Sequence, residues 1–464
     1  MVFGCCTSDS TVSQAGKGKG KGKGPDGGGG GTAAGQSPTI LTQPHEFEPT
    51  KERMSSMSII GHTTPTSVKL WCKVPNGGTW VMALSESSFA DGPAGEDLAN
   101  MNNMRVDEYL AEKLGGDGFV SQSVTLQRDE HNTGKLTHCF HFQNLSPDTP
   151  YHYIVAAEPH TDAGERWKRT VIGSSSSSSS SSSEPECKFT TAKLSYDESG
   201  ITLGVYSCHD PYSWTKGEAY EGIWPEFARV RHALDLTIGG GDQIYVDSNE
   251  IACTDLWTFL RENKLAVRAN YLRKDGSLDR EGIIDYLTRL IRQYYQIYWN
   301  YENLQKVYGR VPSYMMWDDH EIMDGWGSLN KEERVEKLRK RGKILLEDEK
   351  VLTIVDCAWH AAAAVYDEYQ HCHNPGPSFL LPLQDDRGAA QSASPLNTVG
   401  RGEERCDPKD FPFDFSFRRG DEYRFFVTDM RSDHDCDAPK DRLFGAGQHR
   451  RLRAWVDTFG TSGA

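Results

Sequence analysis

The stretch LTIGGGDQIYVD, Leu236 to Asp247, decides how the rest of this 464-residue chain is read. An apolar run with strand character breaks on three consecutive glycines, and the first chemically capable side chains beyond the break are Asp242 and, three positions on, Tyr245. Glycine lets a backbone turn sharply and lets another group come close. A strand that stops there presents a carboxylate and a phenol together. Upstream, ITLGVYS from Ile201 is a second β-branched, apolar run that ends in Cys208-His209-Asp210 and is stopped by Pro211. Between the two, PEFARVRHALD from Pro225 has helical spacing. Strand, helix, strand implies a parallel pair, and in open α/β sheets the functional loops lie at the carboxyl ends of the strands. Cys208 and Asp242 are therefore expected on one edge.

Two further segments repeat the pattern. VPSYMMWDDHE, from Val311, ends in Asp318-Asp319-His320-Glu321, and YRFFVTDMRSDHD, from Tyr423, carries Asp429, Arg431, Asp433, His434 and Asp435 at its end. One Asp after a strand is ordinarily a turn former or a helix cap. Four such strand ends make a pattern. If the edges converge, the carboxylates would raise one another's pKa unless a cation held them ionised. Oxygen donors with one histidine and one thiol suit a hard metal pair better than a structural zinc site, which shows close Cys/His spacings. Tyr245 leaves two readings open: a phenolate ligand to a strongly Lewis-acidic ion such as ferric iron, or a ring packed under the loop with its hydroxyl hydrogen-bonded. Trp317 and Trp326 flank the third loop and either wall a pocket or pack in the core.

The rest of the chain bounds the answer. A net charge of −15 and a pI near 5.5 argue against nucleic acid as the main partner. Eleven cysteines without regular spacing read as free thiols in a reducing compartment. No run approaches the roughly 18 apolar residues of a membrane span, and the N-terminus lacks a secretory signal's apolar core, so the expected location is cytoplasmic. Residues 1–45 read as a disordered tail, with GKGKGKGKGPDGGGGG from Gly16 as a flexible tether. Cys5 and Cys6 at its start are candidates for acylation, and with the nearby lysines they would give a peripheral membrane contact. Residues 57–192 alternate with period two in SVKLWCKV, TWVMAL, KLTHCFHFQNL and YHYIVAAE, which predicts a small β-sandwich interrupted by ten serines, Ser174 to Ser183. IIDYLTRLIRQYYQIYWNYENLQKVY is expected to be an aromatic-rich helix, and one or two long helices follow Asn330. The basic run Lys337 to Lys343 reads as a solvated helix face. His360, His371, Cys372 and His373 read as surface and packing residues.

The set SCHDPY, GGDQIY, WDDHE and FFVTDMR, in this order behind a small β-sandwich, resembles the PhoD-like alkaline phosphatases, a branch of the metallophosphoesterases. The resemblance implies an α/β/β/α catalytic domain over residues 201–464 that holds ferric iron and calcium and hydrolyses phosphate mono- and diesters with a metal pair and a bound hydroxide. It implies Cys208 as a thiolate ligand, Asp242 as the bridging carboxylate and Tyr245 as a phenolate ligand. His320 falls where related enzymes place a histidine near the transferring phosphoryl group, with Asp319 beside it in the catalytic pair. Asp324 stands where many family members carry an Asn, and which of Asp319 and Asp324 binds metal stays open. Arg431 and His209 are candidate substrate contacts. The family's Asp-x-Arg-x-x-Arg is incomplete here, with His434 in place of the second Arg. The implied substrate is a phosphate-ester small molecule or a lipid headgroup. Two alternatives accompany this: a phosphodiesterase acting on lipid headgroups, and a catalytically impaired, membrane-tethered binding module of the same fold. A further strand with a Gly-Asp-x-His-type motif is expected in the family but does not follow Asp435, so the chain is expected to be shortened, to bind metal weakly and to show little activity unless completed.

Overall fold

The computed structural model describes residues 52–89, 104–127 except 117, 135–159, 171–172, 187–212 except 198, 220–247, 271–342, 348–376, 413–432 and 443–460 except 444. Cys5, Cys6, the glycine-lysine tether, the serine run, Asp433, His434 and Asp435 lie outside the described residues.

The N-terminal part is built from two antiparallel sheets. Strands β1 (Met57–Thr63), β2 (Ser67–Lys73) and β5 (Thr137–Gln143) form one, in the order β1-β2-β5. Strands β3 (Gly78–Ser85), β4 (Val120–Leu126), β6 (Pro150–Ala157) and β7 (Val171–Ile172) form the other, with β8 (Lys188–Thr190) pairing to β6. Alternation decides which side chains meet between them. Leu70 and Phe140 point inward with Trp80, Met82 and Tyr153, while Trp71 and Cys139, register partners on β2 and β5, point the other way. A helix the period-two pattern did not announce, α1 (Val106–Leu114), covers the outer face of β3 and β6 through Val106, Tyr109 and Leu110.

The outward face of the first sheet is covered by long helices. The aromatic-rich segment forms two helices rather than one: α3 (Arg280–Tyr298) and α4 (Glu302–Tyr308). α3 buries Ile283, Ile284, Leu287, Leu290, Ile291 and Tyr294, the three-and-four spacing of one helix face. After α5 (Lys331–Gly342), α6 (Asp348–Tyr369) packs along α3, and its run of alanines at 361–363 is fully buried. Trp71, fully buried, donates from its indole nitrogen to the Glu368 carbonyl at 2.8 Å, and Thr137 and Arg292 both reach the Glu368 carboxylate.

Four layers follow in the C-terminal part. Strands β9 (Leu203–Tyr206), β10 (Leu236–Gly239) and β11 (Ser313–Met315) form a parallel sheet in the order β11-β10-β9. Helix α2 (Trp224–Val230) joins β9 to β10 and packs with α4 on one face, where Tyr206 meets Trp224 and Tyr308. On the other face lies a separate antiparallel pair, β12 (Phe415–Arg419) and β13 (Tyr423–Val427). Tyr314 stacks on Phe417 with ring centroids 3.9 Å apart and planes 1° from parallel, which ties the two sheets together. Helix α7 (Ala446–Gly460) covers the far side, Trp455 against Phe426. The fourth strand expected on the parallel edge is thus in the second sheet. Both sheets still feed one site, because β13 delivers Arg431 to the loop after β11. Among the described residues no helix is long and apolar enough to cross a membrane.

Candidate metal centre at the carboxyl edge of the parallel sheet

All three parallel strands end together, and two of them end on strained backbone. Cys208 has φ 58° and Asp242 φ 54°, a region that side chains other than glycine seldom occupy and that costs on the order of 1–3 kcal/mol. Such a cost persists only where surrounding contacts fix it. Gly241, at φ 107°, supplies the turn, and a Cβ there would lie 2.3 Å from that of Asp318, so only glycine lets the two loops touch. Gly240 has ordinary room. Cys208 N donates to Gly241 O at 3.1 Å and His209 N to Asp242 O at 2.8 Å, which laces the loop after β9 to the loop after β10.

Asp242 is the hub. Its Oδ2 lies 3.5 Å from Cys208 Sγ and accepts the Tyr245 hydroxyl at 3.3 Å, while Oδ1 accepts the His320 backbone N–H at 3.2 Å. Asp242, Asp319 and His320 each present a ligand atom, all within 4.8 Å of one another, a group that could hold a metal ion. Glu321, fully enclosed, accepts the backbone N–H groups of Asp242 at 3.1 Å, Gln243 at 2.8 Å and Asp318 at 3.0 Å, and the Gln370 amide at 3.2 Å. One carboxylate therefore fixes both loops.

The electrostatics are crowded. Burial pushes Asp242 up to about 7, with the neighbouring Asp318 charge adding to it and His320 opposing. Burial also raises Glu321 to about 8, Cys208 to about 11 and the Tyr245 phenol well above its ordinary value. His320 goes the other way for an imidazole: burial would lower it, but the hydrogen bond to Asp247 and the charges of Asp247, Asp242 and Asp319 win and hold it up at about 9. Its Nδ1 sits 2.7 Å from Asp247 Oδ1, so Nδ1 carries the proton and Nε2 is left for other work. The ring lies over Tyr245, centroids 4.2 Å apart.

The structure brings Cys208, Asp242, Tyr245, Asp319 and His320 to one place and sets three expected residues apart. Asp324, read as a possible ligand, has its carboxylate on the Lys337 ammonium at 2.6 Å, and its backbone N–H on Asp247 at 2.8 Å. That leaves Asp319, with Oδ1 3.4 Å from Arg431, beside Asp242 as the second carboxylate of the group. His209 is turned into the core, not toward a substrate: Nε2 donates to Tyr298 O at 2.7 Å and Nδ1 accepts from the Trp224 indole at 3.0 Å, with burial lowering it to about 4. Arg431 is committed to carboxylates, donating to Asp318 and to the Trp326 carbonyl. Lys337 belongs to this ion pair rather than to a purely solvated face. Trp317 stacks on Tyr366 at 4.7 Å and Trp326 lies beside Trp359, both in the core. His371 and His373 are buried rather than on the surface.

Asp247 and Glu321 adjoin the site, and the sequence pattern did not single them out. Both were inside quoted motifs, but a carboxylate whose partners are backbone N–H groups or a distant ring leaves no spacing signal.

An edge of a parallel sheet carrying convergent carboxylates, an imidazole, a thiol and a phenol defines a candidate metal-binding centre. Residues 203–456, more than half of the chain, match the PhoD-like phosphatase family. The chain belongs to that family. A curated protein of Saccharomyces cerevisiae, "Uncharacterized protein YGR266W", is 29% identical over 208 residues, which cover 42% of this chain and 28% of the yeast protein. A solved structure of PhoD aligns with TM-score 0.47 and 14% identity over 88% of this chain and 60% of that one. A purple acid phosphatase from yellow lupin seeds aligns with TM-score 0.32 and 10% identity over 61% and 38%. The chain thus spans about a quarter of the yeast relative's length.

Proposed function

We propose that this chain hydrolyses phosphate esters at the Asp242 centre with the help of bound cations. The observation that carries the reading is the meeting of Asp242, Asp319 and His320 donor atoms within 4.8 Å on the edge where the parallel strands end. The donor chemistry fits a hard cation: Asp242 is pushed up to about 7 by burial and by Asp318, a frustration that positive charge relieves. Asp242 and Asp319 would hold it, with Cys208 and Tyr245 adjoining Asp242 as a thiolate and a phenolate if the ion is as acidic as ferric iron. Bound cations supply neutralisation of the phosphoryl charge and acidification of an attacking water.

The chain's own residues do the rest. Asp247 holds Nδ1 of His320 and favours the imidazolium, so on this reading His320 is a proton donor rather than a cation ligand, and its Nε2–H would go to the leaving oxygen. Arg431 clamps Asp318 and approaches Asp319, which holds the third loop in position. Glu321, on that loop, ties it to the loop after β10 by accepting the backbone N–H groups of Asp242, Gln243 and Asp318.

The test is hydrolysis of p-nitrophenyl phosphate and bis(p-nitrophenyl) phosphate by the purified chain, before and after chelation and with Ca²⁺, Mn²⁺ or ferric iron restored. Cation-dependent release of nitrophenol from either ester supports the reading. Release that survives chelation, or none under any cation, contradicts it.

A further inference from the structure

Strand β11 is the outer strand of the parallel sheet, with β10 on one side only. Along a strand in a parallel pair, the backbone groups of alternate residues face opposite sides. Here Pro312 O accepts Thr237 N at 2.8 Å and Met316 N donates to Gly239 O at 2.9 Å, so the even-numbered residues serve β10. Met315 therefore turns both its N–H and its C=O to the open side. It is fully buried there, out of reach of water. Unpaired backbone polar groups in such a place are costly, so something must stand where the next strand would.

That partner is the side chain of Asn374. Its Oδ1 accepts from Met315 N at 3.0 Å and its Nδ2 donates to Met315 O at 2.6 Å, so one amide meets both groups as a strand backbone would. The Tyr366 hydroxyl adds a longer contact to Met315 O at 3.3 Å. Among the described residues the N–H has Asn374 alone. Asn374 is itself fully buried and follows the short 3-10 turn His371–His373 at the end of α6. Its backbone is held from two directions: Asn374 N donates to His371 O at 2.9 Å, and Asn374 O accepts Lys69 Nζ, from β2, at 2.7 Å. Gln370, just before the turn, donates to the Glu321 carboxylate at 3.2 Å. The amide thus has a fixed support, and the strand end it holds runs directly into Trp317, Asp318 and Asp319.

We propose that Asn374 is a positioning residue for the Asp242 centre: its amide takes the place of a neighbouring strand on the outer edge of β11 and fixes where the loop bearing Asp318, Asp319 and His320 leaves the sheet. The inference rests on the reading of that edge as a cation-dependent hydrolytic centre. Asn374 acts through β11, not on the substrate. A shift at the end of β11 has nowhere to be absorbed, because the loops after β10 and β11 pack at the distance that only a glycine at 241 allows. The requirement on the side chain is also specific. Leucine has the same branching but would leave Met315 N unpaired. Aspartate keeps the shape, yet when ionised it sets a second acceptor against Met315 O, and only its protonated form offers the donor that the amide offers.

The test is Mn²⁺ titration of the full chain, read by the electron paramagnetic resonance of the free ion, with no ester substrate. Asn374→Leu should raise the half-saturating Mn²⁺ concentration by roughly 10- to 100-fold, the range for residues that act behind a metal's ligands, and should quicken amide exchange at Met315. Asn374→Asp should bind as weakly as Asn374→Leu at about pH 8 and approach the parent as the pH falls to about 6, because a protonated carboxyl restores one donor and one acceptor. Glu368→Ala controls for stability alone and should keep the parental Mn²⁺ affinity. Should Asn374→Leu fail to fold, the pH dependence of Asn374→Asp carries the test. Parental affinity in a folded Asn374→Leu, or a gap between Asn374→Asp and the parent that is the same at every pH, would overturn the role of Asn374. A parent that binds no Mn²⁺ would overturn the reading of the centre, and this role with it.

Discussion

Two buried charge clusters in this molecule are built on opposite terms. At the seam between the N-terminal sheets and the helices, the Glu368 carboxylate meets Arg292 at 2.7 Å and the Thr137 hydroxyl at 2.9 Å. One negative charge meets one positive charge and one donor, and the cluster is complete. At the carboxyl edge, Asp242, Asp318, Asp319, Asp247 and Glu321 gather around Arg431 and His320, with two loop residues at positive φ. Negative charge is in surplus there, and Asp242 is pushed up accordingly. On the proposed function, the difference separates a cluster that holds the fold from one that a cation would complete.

The first way to break the contrast is Asp242→Asn, which should abolish measurable hydrolysis of p-nitrophenyl phosphate and bound cation together while the circular-dichroism spectrum stays that of the parent. An active variant would mean that Asp242 is not the hub. His320→Ala should retain cation and lose turnover by roughly a hundredfold to ten-thousandfold, the range of a general acid, measured as kcat. Turnover at the parental rate would remove His320 from the chemistry.

Glu368→Ala addresses the other cluster. It leaves Arg292 without its buried partner and should cost about 3 kcal/mol in urea unfolding, with cation affinity unchanged. A loss of cation affinity equal to that of Asp242→Asn would erase the distinction between the two clusters. Asp247→Asn should be milder for catalysis, roughly 10- to 100-fold, because it acts through His320. The His320 imidazole pKa, read by NMR in the metal-free protein, should fall from about 9 toward the ordinary value in this variant. Smallest is Lys337→Ala, a half-exposed pair with Asp324, expected to change stability by about 1 kcal/mol or less.

The sequence exposed what is periodic or punctuated. The strands ending at Cys208, Asp242 and Asp318, the parallel arrangement and the four sandwich strands all come from alternation, glycine and proline, and each lies where that pattern puts it. Long-range partners were hidden. His209 follows Cys208 directly, yet the positive φ at Cys208 swings the next side chain into the Tyr298 and Trp224 contacts. Asp324 lies in the same loop as Asp319, and only α5, which brings Lys337 to it, tells the two carboxylates apart. The break at Trp299–Tyr301 between α3 and α4 had no glycine or proline to mark it. Tyr245 takes up the geometry of its packed reading, with its ring against His320 and Tyr298 and its hydroxyl donating to Asp242.

The central claim is that the surplus of carboxylates at the sheet edge exists to hold a cation through Asp242 and Asp319. Metal content per chain, measured by inductively coupled plasma mass spectrometry after dialysis against Ca²⁺, Mn²⁺ and ferric iron, tests it in the parent, Asp319→Asn and Asp324→Asn. The account predicts bound cation in the parent, its loss in Asp319→Asn and its retention in Asp324→Asn. A parent that retains none of these ions, or an Asp324→Asn variant that loses as much as Asp319→Asn, would contradict it.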